Sequence, residues 1–263
     1  MAVLVKRVLA VAYILSLTFF ANAIGQETCV SFKSTTDGFT VASGGTAAPI
    51  LLSEDDWPGV HRAAIDFAND IGKVTGVNAK FANSTASNVT RTLSSLRGTQ
   101  RLPILVGTLG KSSLISAVVN NTKLDVSRVD GQWEAFLVQK VANPLPGLSS
   151  ALVIIGADKR GTIYGLYDLS EQFGVSPWYW WADVPTTRQN QLFVQASGCS
   201  HGSPTVKYRG IFLNDEQPSL QSWAMAKFTN GTGAPLTGSP FNHFFYTRVY
   251  VSTRISVLQL IQC

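Results

Sequence analysis

The chain has 263 residues, of which 45% are hydrophobic and only 14% are charged, and its formal net charge is +5. This length is sufficient for at least one well-packed hydrophobic core. Because no run rich in Lys and Arg with interleaved aromatic residues occurs, the modest positive charge argues against a nucleic acid as partner.

Residues 1–23 have the layout of a secretory signal peptide. Two cations precede an apolar stretch over residues 8–20, and residues 21–23 (Ala-Asn-Ala) supply a small-residue cleavage site. The apolar stretch is shorter than the ~20 residues that a membrane span needs. We therefore predict cleavage after Ala23 and a secreted, extracellular protein with no membrane partner, with a retained anchor as the alternative.

Four Asn-X-Ser/Thr sequons occur in the chain, and in a secreted protein each predicts an exposed, glycosylated asparagine. They lie at Asn83, Asn88, Asn120 and Asn230. Together with the low charge density, this pattern is typical of an extracellular glycoprotein.

Three cysteines are present in this oxidising context. Cys29 and Cys199 flank the first predicted domain and can close it with a disulfide, which leaves Cys263 unpaired. The three histidines are scattered and none forms an i, i+4 pair, so the sequence predicts no metal site and no cofactor.

Hydrophobic patterns after the signal predict strands that alternate with helices over residues 24–200, which is typical of an α/β sandwich. A loop with two sequons is expected after the first helix. The helices are expected to begin near Trp57, Ser112 and Lys159 and to end near Gly76, Asn121 and Phe173. The expected strands lie at residues 39–42, 49–52, 102–107, 134–141, 151–156 and 191–194.

The third predicted helix begins with two cations, Lys159 and Arg160. Since helix N-termini favour anions, these side chains are candidate contacts for a carboxylate or a sugar acid. From residue types alone, the favoured interpretation is that Asp158 caps the helix while both cations are solvated. Gly161 and Gly165 are expected to let the helix lie close to the sheet.

An aromatic cluster, Trp-Tyr-Trp-Trp, occupies residues 178–181. Its flat rings can stack on the apolar faces of sugars. The favoured interpretation is an aromatic plug buried between two domains, with one or two rings at the edge of a cleft.

Residues 207–216 form an apolar strand pattern that ends in Asn214, Asp215 and Glu216. Barrels of the (β/α)8 type keep their chemistry at the carboxyl ends of such strands, so we interpret this segment as the first barrel strand. The two acids point to opposite faces, so only one can line a site and its partner acid must come from elsewhere. Alternatively, the carboxylate merely caps a loop. Because a whole barrel needs ~250 residues, residues 201–263 are expected to be its truncated start.

Several long motifs resemble the α-glucuronidases of glycoside hydrolase family 115, and the resemblance extends to about Val249. It implies an N-terminal α/β domain packed against a (β/α)8 barrel with a uronic-acid pocket, in a secreted, fungal enzyme. It also implies glucuronoxylan as substrate, from which (4-O-methyl-)glucuronic acid is removed with inversion. The motifs are Asp-Trp-Pro-Gly-Val-His-Arg-Ala-Ala (56–64), Ile-Leu-Val-Gly-Thr-Leu-Gly-Lys-Ser (104–112), and the runs 158–185 and 207–216.

On matching positions, the resemblance makes Asn214 and Asp215 the expected pocket residues. Asp215 is expected to be the catalytic residue that positions substrate or water, whereas Lys159 and Arg160 are expected to contact the substrate carboxylate.

The chain departs from the family pattern after Phe245 and Tyr246, where an amphipathic barrel helix should continue. A truncated gene model, a retained intron or a frameshift would each produce this departure. Because the remaining strands and the partner acid are absent, we expect this polypeptide alone to be inactive.

Two other functions fit the same residues. The chain can be a non-catalytic secreted module that binds acidic polysaccharide through Lys159, Arg160 and the aromatic cluster. It can also belong to another barrel glycosidase with a similar helper domain, such as a family 67 α-glucuronidase or a hexosaminidase, although the resemblance argues against this.

Overall fold

A computed structural model describes residues 27–99, 102–179 and 183–209, which contain ten strands and four helices. The helices are α1 (Pro58–Thr75), α2 (Val89–Ser95), α3 (Ser113–Thr122) and α4 (Lys159–Phe173). The strands are β1 (Val30–Ser31), β2 (Phe39–Ser43), β3 (Thr46–Ala47), β4 (Ile50–Leu52), β5 (Phe81–Asn83), β6 (Ile104–Thr108), β7 (Phe136–Ala142), β8 (Ser150–Gly156), β9 (Leu192–Val194) and β10 (Cys199–His201).

Six strands form the larger sheet, in the order β10-β7-β8-β6-β4-β5. Strands β5, β4, β6 and β8 run parallel, whereas β7 is antiparallel to both β8 and β10. The carboxyl ends of β4, β6 and β8 therefore meet at one edge of the sheet. From this edge, which we call the carboxyl edge, the chain enters α1, α3 and α4.

Alternate side chains of the parallel strands point to opposite faces of this sheet. On one face, Ile104 and Val106 belong to a core that also contains residues of α1, α4 and the smaller sheet. On the other face, Leu105 packs in a second core with Leu114 and Val118 of α3. Every residue of β6 and β8 is buried, as expected for strands covered by helices on both faces.

Short-range signals set the ends of the helices at the carboxyl edge. The carboxylate of Asp158 accepts a hydrogen bond from the backbone N–H of Gly161 at 2.8 Å and caps α4, as predicted. Gly174, with a φ of 108°, ends that helix in the left-handed conformation. Ser112 caps α3 by accepting a hydrogen bond from the backbone N–H of Ile115 at 3.3 Å.

Gly161 and Gly165 bring α4 close to the sheet. A Cβ atom at position 161 would lie 2.2 Å from the carbonyl oxygen of Ala135, the residue before β7. The backbone there leaves no room for a side chain. A Cβ atom at position 165 would lie 3.2 Å from the ring of Phe136. Both glycines therefore serve close packing, as predicted.

A smaller antiparallel sheet, in the order β1-β9-β2-β3, completes the described fold. A disulfide joins Cys29, next to β1, to Cys199 in β10, with an S–S distance of 2.07 Å. The two cysteines are separated by 170 positions and are the pair that the sequence analysis proposed. The bond therefore ties the start of the smaller sheet to the edge of the larger one.

The loop expected between the first helix and residues 102–107 was a wrong prediction. In its place, Phe81–Asn83 forms β5 and Val89–Ser95 forms α2. Strand β5 has only three residues and owes its conformation to parallel pairing with β4, in which Phe81 lies opposite Ile50. A local pattern carries little information about such a distant partner.

Three sequence predictions fall wholly or partly outside the described residues. The signal peptide at residues 1–23 lies outside them. Of the expected barrel strand at 207–216, only residues 207–209 are described, and they lie in no strand. Cys263 also lies outside. Among the described residues, no helix is long and apolar enough to cross a membrane.

Candidate functional site

The carboxyl edge collects side chains from three separate loops. Trp57 lies in the loop after β4, Lys111 in the loop after β6, and Lys159 at the start of α4 after β8. Open sheets of parallel strands bind their ligands at this end, because loops and helix N-termini from several strands converge there. The topology therefore makes this edge the candidate site of the domain.

A buried carboxylate fixes the backbone beneath these loops. Asp56 is 5% exposed and accepts hydrogen bonds from the backbone N–H of Trp57 at 2.7 Å and of Thr108 at 2.8 Å. It also accepts one from the hydroxyl of Thr108 at 2.9 Å. That hydroxyl lies 2.8 Å from the hydroxyl of Thr162 in α4. One acid thus links the ends of β4 and β6 to α4.

Above this network, Trp57 is 42% exposed, and two ammonium groups flank its indole ring. The Nζ atom of Lys111 lies 5.1 Å from the ring centroid, and that of Lys159 lies 5.7 Å from it. Both distances are within the range of a cation–π interaction. Within residues 27–99, 102–179 and 183–209, neither lysine forms an ion pair with an acidic side chain.

Asp55 occupies the rim of this edge, beside the N-terminus of α3. Its carboxylate accepts a hydrogen bond from the backbone N–H of Ser113 at 3.3 Å. Desolvation raises the pKa of Asp55, but hydrogen bonds from Ser53 and Ser113 outweigh it, so the pKa lies below its usual value of 3.8. The carboxylate is therefore ionised at neutral pH and is directed at the helix rather than at the lysines.

Arg160, the second residue predicted to contact a substrate carboxylate, forms an ion pair with Glu134. The Glu134 side chain is 4% exposed, and its oxygens lie 2.5 Å from guanidinium nitrogens of both Arg160 and Arg209. Arg160 is therefore ion-paired, although its side chain is 36% exposed, so the expectation that both cations are merely solvated is wrong for Arg160. Lys159 is the more exposed of the two predicted cations. Its role in binding substrate stays a prediction.

Residues 178 and 179 of the aromatic cluster lie far from Lys159 and Arg160. Tyr179 packs under Lys73 near the end of α1, with 4.8 Å between the ammonium nitrogen and the ring centroid. The 15 residues of α4, which begins with the two cations and ends before the cluster, span about 22 Å. One sugar residue cannot contact both groups, so the structure does not bring them together.

Trp178 is 52% exposed, as expected for a ring at the edge of a cleft, and the aromatic plug between two domains stays a prediction. Trp180 and Trp181 lie outside those residues, as do the predicted pocket residues Asn214 and Asp215.

Three of the four predicted glycosylation sites are described, and all three asparagines are exposed: Asn83, Asn88 and Asn120. Asn230 lies outside the described residues. Within those residues, no group of three or more His, Cys, Asp or Glu side chains is arranged to hold a metal ion.

Sequence reasoning missed Trp57, Lys111, Glu134 and Arg209 as members of the edge. Trp57 was read only as the start of a helix. The signal that identifies Trp57 and Lys111 is their position in the loops that follow two buried parallel strands. Glu134 and Arg209 give no such signal, because they are 75 positions apart and meet only in the folded chain.

A family model described as "Glycosyl hydrolase family 115" matches residues 201–253. The match ends slightly beyond Val249, where the sequence resemblance was expected to stop. A comparison with curated proteins gave no match.

Among solved structures, the chain is similar to a family GH115 4-O-methyl-α-glucuronidase with specificity for decorated arabinogalactans. The two are 26% identical with a TM-score of 0.60, and the likeness covers 82% of this chain and 25% of that protein. The chain thus spans about a quarter of the length of this relative.

Two further structures give weaker likenesses. A Streptomyces plicatus N-acetyl-β-hexosaminidase is 12% identical with a TM-score of 0.36, covering 67% of this chain and 25% of that one. A Flavobacterium johnsoniae chitobiase is 13% identical with a TM-score of 0.35, covering 72% and 21%. Likenesses at these scores carry no argument about fold or function. The match of the family model over residues 201–253 and the similarity to a solved member both support an assignment of the chain to glycosyl hydrolase family 115.

Proposed function

We infer that the chain is the N-terminal part of a secreted α-glucuronidase that removes 4-O-methylglucuronic acid side groups from a plant polysaccharide. The observation that carries this inference is that a family model and a solved structure, compared separately, point to the same glycoside hydrolase family. The family model covers residues 201–253, and the likeness to a solved 4-O-methyl-α-glucuronidase covers 82% of the chain. Glucuronoxylan is the proposed substrate, and decorated arabinogalactan, on which the solved relative acts, is the competing one.

The proposed chemistry is an inverting hydrolysis at the carboxyl end of a (β/α)8 barrel. One carboxylic acid protonates the leaving oxygen while a second carboxylate takes a proton from water, which attacks the anomeric carbon from the opposite face. In inverting glycosidases the two carboxyl groups lie ~6.5 to 9.5 Å apart. We assign Asp215 to the positioning of substrate or water and Asn214 to hydrogen bonds with the sugar, since both fall within the family match.

The 263-residue polypeptide is proposed to be inactive by itself. Only residues 201–263 follow from the start of the family match, whereas a whole barrel needs ~250 residues. A single βα unit supplies only one wall of such a pocket.

The test compares this polypeptide with a version extended through a complete barrel. Both are incubated with glucuronoxylan, with decorated arabinogalactan and with carboxyl-reduced xylan as control. We expect the extended protein to release 4-O-methylglucuronic acid, with the β anomer first in the NMR spectrum, and the short one to release none. Failure of a folded extended protein on every uronate-bearing substrate would contradict the proposed function, and release by the short protein would contradict the proposed inactivity.

A second candidate function is a non-catalytic module that binds acidic polysaccharide. The exposed Trp57 ring with Lys111 and Lys159 beside it favours binding, but not through the residue set expected from sequence. Submillimolar binding of acidic xylo-oligosaccharides by a folded extended protein that shows no turnover would favour the module over the enzyme.

A further inference from the structure

We propose that Trp57, Lys111 and Lys159 form a binding site for a uronic acid residue of a polysaccharide, which we call the Trp57 site. The proposal rests on the proposed function, because it takes a uronate-bearing glycan as the ligand. It goes beyond that function by placing a second contact with such glycans on the N-terminal domain.

The first argument is that Trp57 presents a large apolar side chain to solvent from an ordered backbone. The residue is 42% exposed, whereas tryptophan is highly buried on average. Its backbone N–H donates a hydrogen bond to the buried Asp56, and Pro58 begins α1 immediately after it. The backbone at this position is therefore held in place, so ligand binding needs little ordering of the chain there.

The second argument is the charge beside the ring. Lys111 and Lys159 come from different strand ends and place their ammonium groups 5.1 and 5.7 Å from the ring centroid. Neither acid on the neighbouring loop forms an ion pair with the two lysines. Asp55 accepts a hydrogen bond from the N-terminus of α3, and Glu54 forms no ion pair among the described residues. The two lysines are thus available for an external anion.

The third argument is the match between these groups and one class of sugar. A pyranose presents an apolar C–H face that stacks on an aromatic ring, and a uronic acid adds a carboxylate at the edge of the same ring. Indole and ammonium groups side by side satisfy both features at once. A neutral sugar satisfies only the stacking, so the site should discriminate in favour of the acidic glycan.

The test is a calorimetric titration of the full 263-residue chain with a xylo-oligosaccharide carrying one 4-O-methylglucuronic acid, and with the same oligosaccharide lacking it. The variants are Trp57→Ala, Trp57→Phe, Lys111→Ala and Lys159→Ala. Phe32 and Lys33 are both exposed neighbours on a different part of the domain, so Phe32→Ala and Lys33→Ala are matched controls that remove a ring and a charge elsewhere. Thermal unfolding of each variant checks that it folds.

We expect the acidic oligosaccharide to bind and the neutral one to bind at least about tenfold more weakly, since only the former makes an ion pair. Trp57→Ala should weaken binding at least about tenfold, and each lysine variant about threefold with a smaller dependence on salt. Trp57→Phe should retain most of the affinity, because it keeps an aromatic face. Both controls should bind like the parent chain.

Three results would overturn the Trp57 site: no binding by the parent chain, equal affinity for acidic and neutral oligosaccharides, or unchanged affinity in folded Trp57→Ala. None of these results bears on hydrolysis by the extended protein, so the proposed function would stand or fall separately.

Discussion

At the scale of single residues, Asp56 explains how the chain holds a rigid edge. A buried carboxylate is costly unless its oxygens are hydrogen-bonded, and Asp56 receives three hydrogen bonds from Trp57 and Thr108. The partners in turn need it, because the backbone N–H of Thr108 has become buried with its strand. The acid therefore belongs to the foundation of the edge, and we assign it no contact with ligand.

Replacement of Asp56 by Ala should lower the free energy of unfolding by about 3 kcal/mol, because it leaves buried donors without an acceptor. Chemical denaturation of the variant and its parent measures this difference. Asp130→Ala, at an exposed position, serves as the control and should change stability by less than about 0.5 kcal/mol. An equally small effect of Asp56→Ala would show that the network does not stabilise the fold.

Asp55 gives a prediction about pH. Its pKa is lower in the folded chain than its usual value of 3.8, so the ionised form stabilises the fold above about pH 4 and this stabilisation is lost as pH falls through the folded pKa. Asp55→Asn should therefore melt below the parent chain at pH 7, and the difference should shrink as the pH falls below about 4. Melting temperatures measured across this range test the prediction. A constant difference at every pH would contradict it.

At the scale of elements, the sequence predicted those whose signals are local. Strands β6 and β8 are continuous apolar runs, and α4 has a capping aspartate and a C-terminal glycine. By contrast, β5 and β10 have three residues each and exist because they pair with β4 and β7. Lys159 was identified from its helix N-terminus, but Trp57 and Lys111 join it only once the order of the parallel strands is known.

An ion pair holds the C-terminal end of the described residues, and local sequence patterns do not reveal it. Arg209 lies next to the described limit of the chain, and its guanidinium is 2.5 Å from the buried carboxylate of Glu134. Arg160, at the start of α4, forms an ion pair with the same carboxylate. Glu134 therefore connects α4 to the segment that contains Arg209. The three side chains thus tie the end of the described residues to the start of α4.

Glu134→Gln should loosen this segment. Tryptic cleavage after Arg209, measured by mass spectrometry relative to cleavage after the exposed Lys33, should rise about tenfold, because loss of the buried negative charge weakens the ion pairs of this side chain with Arg160 and Arg209. Lys33 follows β1 in the smaller sheet and acts as an internal reference outside this segment. An unchanged ratio of the two cleavages would show that the ion pair does not hold the segment in solution.

At the scale of the whole molecule, the described fold consists of two sheets joined by two covering helices and one covalent bond. A shared core of side chains connects the smaller sheet, α1, α4 and one face of the larger sheet. The disulfide between Cys29 and Cys199 closes a loop of 170 positions around nearly all of it.

Replacing both Cys29 and Cys199 by Ala should lower the free energy of unfolding by about 2 to 5 kcal/mol, because the unfolded chain regains the freedom that a long closed loop removes. Denaturant titration under non-reducing conditions measures the loss. Cys263→Ala, which leaves this bond intact, is the matched control and should retain the parent stability. Equal stability of the double variant and the parent would contradict a structural role for the bond.

The account of this chain as part of a uronate-releasing glycosidase depends on which acid after Phe212 faces the substrate. In the strand predicted over residues 207–216, adjacent residues would point to opposite faces, so Asp215 and Glu216 form a matched pair for this test. The most direct measurement is the rate of 4-O-methylglucuronic acid release by the protein extended through a whole barrel, for the parent, Asp215→Asn and Glu216→Gln. We predict release by the parent, a loss of about 10²-fold or more in kcat for Asp215→Asn, and near-parent turnover for Glu216→Gln. No release by the folded parent, or full activity in Asp215→Asn, would contradict the account.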